Sequence, residues 1–187
     1  MARRHGNLTD DNYEFIKGEV IHFIIKYNIK LPVSGFELAA KMGIGLVAYS
    51  SLSDRQLNEA YKISEDGYYL ESNGQEFIFY NDIDNGYERL NWTLLHEIAH
   101  CVLDHTGCGE YEEEEADFFA KYAIAPPVLV KGIGATSPFD IWTNFNISFE
   151  AAVYAYDYYR TWNRKHLAMG CYTDYEIELI DFACKTA

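Results

Sequence analysis

Three residues near the middle of the chain, His96, Glu97 and His100, have the types and the spacing for metal chemistry. On a helix, residues four positions apart lie on one face, so the two imidazoles could bind one metal ion together. Glu97 would then lie about 100° round the helix from His96, beside the ion. A carboxylate in that position can take a proton from a metal-bound water, so the sequence predicts a hydrolytic metal site.

The alternative for this segment is a surface helix that carries two histidines by chance. Its neighbours oppose that interpretation, because the helix is apolar on nearly every side. One face shares the histidines with Trp92, Ala99 and Leu103, and another carries Leu95, Ile98 and Val102. Two histidines without partners in a buried helix would be costly, and a metal ion would satisfy both. The pattern HExxH is typical of zinc metalloproteases.

A catalytic zinc needs a third protein ligand and one open position for water. The longer pattern HExxHxxGxxH would supply a third histidine, but Leu103 and Thr106 stand where its glycine and last histidine should be. On this helix His105 points about 140° away from His100, and we expect it to be exposed. Asp104 would crowd His100 on the same helix. We therefore expect the third ligand from another element.

The obvious source is the run of four glutamates that opens the next predicted helix. The apolar face of that helix is defined by Ala116, Phe119, Ala120 and Ala123. Glu112 and Glu113 fall within or beside this face. Glu114 lies on the solvent side and Glu115 at the edge, and we expect both to form a solvated helix start.

Face geometry alone leaves Glu112 and Glu113 as candidates for the third ligand. Asp117 follows Glu113 by four residues and could hydrogen-bond the far nitrogen of a ligating histidine, which would fix its tautomer. The partner at this spacing favours Glu113, with Glu112 as the alternative.

The whole chain has an α+β pattern, with helices first, then a small three-stranded antiparallel sheet, then helices again. Apolar spacing and capping residues predict the helices. The first three predicted helices follow Asp10–Asp11, Pro32 and Ser53 or Asp54. Two long helices run from Asn91 to about His105 and from about Gly109 to Ala125. After a loop near KGIGATSPFD come a short helix, a longer helix capped by Ser148 and a terminal helix. The predicted strands are Gly45 to Ser50 and two aromatic runs between Gly67 and Asp82 that flank Asn73–Gly74.

Composition indicates one substantial domain. The chain has 187 residues, of which 49% are hydrophobic and 16% aromatic, and this argues for a real core. The net charge of −14 opposes a general nucleic-acid binder. The helix–turn–helix outline around Ser148 offers Glu150 and Asp157 with few basic residues, so direct DNA binding is not expected either.

The N-terminal residues, the lengths of the apolar runs and the cysteines indicate where the protein is located and in which redox state. The first residues, MARRHGNLTDDNYEF, place no apolar stretch behind the two arginines, so no secretory signal is expected. Apolar runs are all shorter than the ~18 residues of a membrane span. We expect a cytoplasmic protein with reduced thiols, in which Cys101 and Cys108 fill the core and do not bind metal.

The segments LNWTLLHEIAHCVLDH and EEEEADFFAKYAIAPP follow each other closely. Together with LPVSGFELAAKMGI upstream and ISFEAAVYAY downstream, they resemble the ImmA/IrrE family of zinc metallopeptidases. The resemblance covers about residues 10 to 165, and the paired motifs carry most of its specificity. Residues near the C-terminus match no pattern of this family.

The resemblance implies a zincin-like metallopeptidase domain over residues 1–165. From the segment TDYEIELIDFACKTA itself we expect residues 166–187 to form a helical extension packed on the same domain. The resemblance also implies Zn²⁺ bound by His96, His100 and Glu113, with Glu97 as the catalytic base. The implied activity is endopeptidase cleavage of a helix-turn-helix repressor of a prophage, mobile element or stress regulon. A substrate held extended along the sheet edge near 77–80 would suit this activity. The alternative is a zinc-bound regulator that acts by protein–protein binding without proteolysis.

Overall fold

The computed structural model describes residues 8–107 and 109–186. The predictions for Cys108 and for the first seven residues lie outside this part of the chain. The helices are α1 Asp10–Lys26, α2 Gly35–Met42, α3 Asp54–Ile63, α4 Tyr87–Val102, α5 Glu110–Ile124, α6 Pro127–Gly132, α7 Pro138–Phe145, α8 Phe149–Met169 and α9 Asp174–Thr186. The strands are β1 Gly45–Ala48, β2 Gly67–Ser72 and β3 Gln75–Tyr80, with a short 3₁₀ turn at Tyr49–Ser51.

The sheet is mixed, in the order β1–β3–β2. The predicted hairpin is present, since β2 and β3 pair antiparallel around Asn73–Gly74, where both residues have positive φ. The prediction of an antiparallel sheet throughout is wrong, because β1 pairs parallel to β3. Helix α3 carries the chain away from β1, and the hairpin then inserts β3 between β1 and β2. A turn motif fixes only the two strands that it joins.

This strand order also corrects the expected substrate edge. Residues 77–80 belong to β3, the central strand, which is paired on both sides. Within the described ranges, β1 and β2 are the two edge strands of the sheet. The outer edge of β2 faces α4, where the Tyr69 amide donates to the Glu97 carboxylate.

Helix α4 is the central element of the fold. It packs on α5, α2, β2 and β3. Its fully buried residues are Leu94, Leu95, Ile98 and Ala99. Helix α2 approaches closely, because a Cβ at Gly35 would lie 2.8 Å from the Leu94 Cβ. The Gly35 amide donates to the Asn91 side chain, whose own amide donates to the Val33 carbonyl.

Helix α4 begins four residues before the predicted start and ends three residues before the predicted end. Leu103 caps it, and Asp104 adopts a left-handed conformation with φ of 57°. Aspartate tolerates this conformation better than most residues do. The chain therefore turns sharply just after the HExxH segment, and His105 is not on the helix.

Helix α5 lies against α4 and α1. Its predicted apolar face is confirmed, since Ala116, Phe119, Ala120 and Ala123 are all buried. The small alanines allow the neighbouring helices to approach closely. This packing sets α5 beside the histidine face of α4.

The C-terminal part covers the far side of α1 and α6. Helix α8 begins after Ser148, as predicted, and runs continuously across residue 165 to Met169. Helix α9 packs on α1 through Leu179, which is fully buried, and through a Tyr175 hydroxyl that donates to Glu14. Helix α6 lies in a segment where no helix was predicted. Within the described ranges, every helix is too short or too polar to cross a membrane.

Candidate metal centre

Two helices bring three potential metal ligands together. His96 and His100 project from α4, and Glu113 projects from the first turn of α5. The Nε2 atoms of the two histidines are 3.2 Å apart. The Glu113 carboxylate oxygens lie 3.3 Å from the His96 Nε2 and 3.6 Å from the His100 Nε2. The residues that the sequence singled out as ligands therefore converge on one point.

The spacing of these donors fits a zinc ion. Four ligands about 2.0–2.1 Å from a tetrahedral zinc lie ~3.3 Å from one another, and the three observed separations are close to that value. Two imidazole nitrogens and one carboxylate form a known catalytic donor set that leaves the fourth position open. Among the residues that the structure describes, His96, His100 and Glu113 form the one group of three or more His, Cys, Asp or Glu side chains whose ligand atoms lie close enough together to hold a metal ion.

The carboxylates of Glu112 and Glu113 lie in different places relative to the two histidines. Glu112 folds back over the start of α5, so that a Cβ at Gly109 would lie 2.5 Å from its Oε2. Glu113 reaches across to both histidines. Cys101 and Asp104 are not part of the donor group; the Cys101 thiol instead donates to Glu76.

Asp117 contacts His96 at the ring nitrogen that does not face the other two donors. The His96 Nδ1 lies 3.2 Å from an Asp117 carboxylate oxygen, as the spacing from Glu113 predicted. Because a carboxylate accepts, the Nδ1 carries the proton and donates it. Neutral His96 then has its lone pair on the Nε2, which faces Glu113 and His100.

His100 has a different partner, and here the expectation from the sequence is wrong. His105 is almost fully buried, with its side chain 5% exposed, and its Nδ1 lies 2.9 Å from the His100 Nδ1. The His105 Nε2 in turn lies 3.0 Å from a carboxylate oxygen of Glu115. Glu115, expected to be solvated, is only 13% exposed. The expectation for His105 failed because it assumed that α4 continues past Val102. The expectation for Glu115 failed because it considered only the apolar face of α5 and not the turn that brings His105 against this side chain.

The two histidines differ in their electrostatic surroundings. Burial, together with the neighbouring His96 and His105, lowers the pKa of His100 to about 4. Burial also acts to lower the pKa of His96, but the Asp117 hydrogen bond and the nearby carboxylates outweigh it, so the net shift is upward. The field that favours a proton on His96 is also the field that would attract a divalent cation.

Glu97 lies beside the donor group, half-buried where α4 packs on β2. Its Oε2 accepts a hydrogen bond of 2.8 Å from the Tyr69 amide. Burial raises the pKa of Glu97 to about 7, against the opposing effects of His96 and of that amide. A carboxyl group that titrates near neutrality is well matched to accepting and returning a proton.

The donor group opens onto a large cleft. Its volume is about 2340 Å³, and its walls come from α1, β2, α4, α5 and α8. Pockets for small ligands usually measure about 300–1,000 Å³, so this cleft has room for a much larger molecule. Tyr154 and Tyr158 of α8 also line it.

Sequence reasoning missed His105, Glu115 and the Tyr69 amide. The first two had a usable signal, because Asp104 followed by Gly107 is typical of a chain that leaves a helix. A backbone donor such as the Tyr69 amide has no such signal, since any residue supplies it. Comparison with known proteins adds no assignment: no protein-family model matches this sequence, and no curated protein shows significant similarity to it.

Proposed function

We propose that this protein is a zinc-dependent endopeptidase of the ImmA/IrrE family with a zincin-like fold. The observation that carries the proposal is a half-buried carboxylate, Glu97, beside three converging donors that open onto a wide cleft. The packing of the HExxH helix against a small sheet also supports it, because the free edge of β2 runs past Glu97.

Zinc bound by His96, His100 and Glu113 would lower the pKa of a coordinated water to about 7 and polarise the scissile carbonyl. Glu97 accepts the proton of the attacking water and returns it to the leaving amine. Asp117 holds the His96 ring with its Nε2 lone pair toward the ion. The Tyr69 amide fixes the orientation of the Glu97 carboxylate.

The proposed substrate is a protein segment in an extended conformation. The cleft is larger than a small ligand needs, and the unpaired edge of β2 offers backbone groups for strand addition. From the family resemblance, we propose that the substrate is a helix-turn-helix repressor of a prophage, mobile element or stress regulon, cleaved in the cytoplasm.

The test is cleavage by the zinc-loaded protein of purified helix-turn-helix repressors from the same genome. New termini are identified by mass spectrometry. Glu97→Gln is expected to keep its zinc and to lose about 10²–10⁴-fold in cleavage rate, because the proton acceptor is removed. Glu88→Gln, an exposed change on the same helix and the same cleft, serves as the matched control.

The outcomes separate the proposal from its rival. Undiminished cleavage by Glu97→Gln would remove Glu97 from the mechanism. A zinc-loaded protein that binds a repressor tightly and leaves it intact would support the non-proteolytic regulator instead.

A further inference from the structure

We infer that His105 and Glu115 form a positioning pair that orients His100 for metal binding. This inference rests on the metal site of the proposed function. It concerns two residues outside the donor group and outside the HExxH pattern, which contact His100 through its Nδ1, the ring nitrogen that does not face Glu113.

The turn after α4 places His105 against His100. Its amide donates to the His100 carbonyl over 3.0 Å, and the left-handed Asp104 directs the chain back toward the helix. The two Nδ1 atoms then lie 2.9 Å apart. Glu115, on α5, closes the series with its Oε2 3.0 Å from the His105 Nε2.

The order of donors and acceptors in this series is fixed by its end. The Glu115 carboxylate can only accept, so the His105 Nε2 donates to it. In a neutral His105 the Nδ1 is then an acceptor, and the His100 Nδ1 must donate to it. This leaves the His100 lone pair on the Nε2, which is the atom that faces His96 and Glu113.

Each metal-binding histidine thus has its tautomer set by a carboxylate of α5. His96 contacts Asp117 directly, and that carboxylate is 47% exposed. His100 reaches Glu115 through an intervening imidazole, and both members of this pair are largely buried. With both Nδ1 atoms protonated, two lone pairs and one carboxylate face one another at the donor group, and a cation is what that arrangement suits.

A purely structural role for His105 makes a different prediction. An imidazole and a carboxylate buried together contribute little net stability, and an apolar residue of similar size often replaces such a pair without loss. His105→Phe should therefore weaken metal binding more than it lowers the stability of the metal-free protein. His105→Asn should restore binding, because its Oδ1 can accept the His100 proton near the position of the lost Nδ1.

The experiment measures zinc affinity by competition with a chelator, and the visible spectrum of the cobalt(II) form, for the full chain. For His105→Phe we expect affinity about 10–100-fold weaker and an altered cobalt spectrum, as for other lost outer partners of a ligating histidine. His105→Asn should recover most of the affinity. His22→Phe, at an exposed position on α1, should match the unmodified protein.

Unchanged zinc affinity in His105→Phe would overturn the inference while leaving the metal site intact. So would a loss of affinity accounted for by an equal loss of stability in the metal-free protein. If His105→Phe does not fold, Glu115→Ala carries the test: weaker zinc binding than in Glu110→Ala supports the inference, and equal binding overturns it. If the unmodified protein binds no zinc, the proposed function and this inference both fail.

Discussion

At the scale of single residues, the donor group combines two buried nitrogens with one accessible carboxylate. His96 and His100 are 15% and 11% exposed, whereas Glu113 is 47% exposed. The histidines are held by partners behind them, but the Glu113 carboxylate is held mainly by the donor group itself. Of the three potential ligands, Glu113 is therefore the one whose position would depend most on a bound ion, and its neighbour Glu112 provides a natural comparison.

We expect Glu113→Gln to weaken zinc binding by more than the ~10–100-fold typical of losing an outer hydrogen-bond partner, because a charged ligand is removed. Glu112→Gln should bind zinc as the unmodified protein does, since the Glu112 carboxylate lies over Gly109 and is not part of the donor group. Chelator competition measures both affinities. The reverse ranking would show that Glu112 is the ligand in solution.

At the scale of elements, sequence patterns predicted what local chemistry determines. The apolar face of α5, the hairpin around Asn73–Gly74 and the Ser148 cap of α8 all follow from residues close together in the chain. The parallel pairing of β1 does not, because it depends on where a distant hairpin docks. His105 was misplaced for a related reason: one residue in the left-handed region, Asp104, changed the direction of everything after it.

The contact between α2 and α4 gives a direct test of packing at this scale. Gly35→Ala should destabilise the protein by about 1–3 kcal/mol, because the new Cβ would lie 2.8 Å from the Leu94 Cβ on a rigid helix. Gly18→Ala, within α1, meets nothing within 4 Å and should stabilise by about 0.5–1 kcal/mol. Urea unfolding of the metal-free proteins measures both changes. Equal effects of the two substitutions would contradict the close approach of α2.

At the scale of the whole molecule, the last helix ties the chain back to the first. Helix α9 packs on α1 and α6, and the Trp162 indole of α8 donates to Glu176 of α9 over 2.6 Å. Glu176 is buried and also accepts from the Thr173 amide, so it joins α8, α9 and the loop between them. The C-terminal segment, which resembles no family pattern, is thus part of the packed core.

Leu179→Ala should lower the free energy of unfolding by about 2–5 kcal/mol, because Leu179 is fully buried between α9 and the core. Ile177→Ala, on the same helix but 47% exposed, should change it by no more than about 0.5 kcal/mol. Denaturant titration distinguishes them. If Leu179→Ala is as stable as Ile177→Ala, α9 does not pack on the body in solution.

The donor group that joins α4 and α5 has a consequence for the lifetime of the protein in a cell. A metal ion held by His96, His100 and Glu113 would cross-link two helices, and it would do so only in the folded chain. An ion that binds only the folded chain adds about 2.7 kcal/mol to the free energy of unfolding when its free concentration is 100 times its Kd. Loss of the ion would enlarge the unfolded fraction on which cellular proteases act. The half-life of the protein would then follow the supply of zinc, and scarcity would clear it from the cell as well as inactivate it.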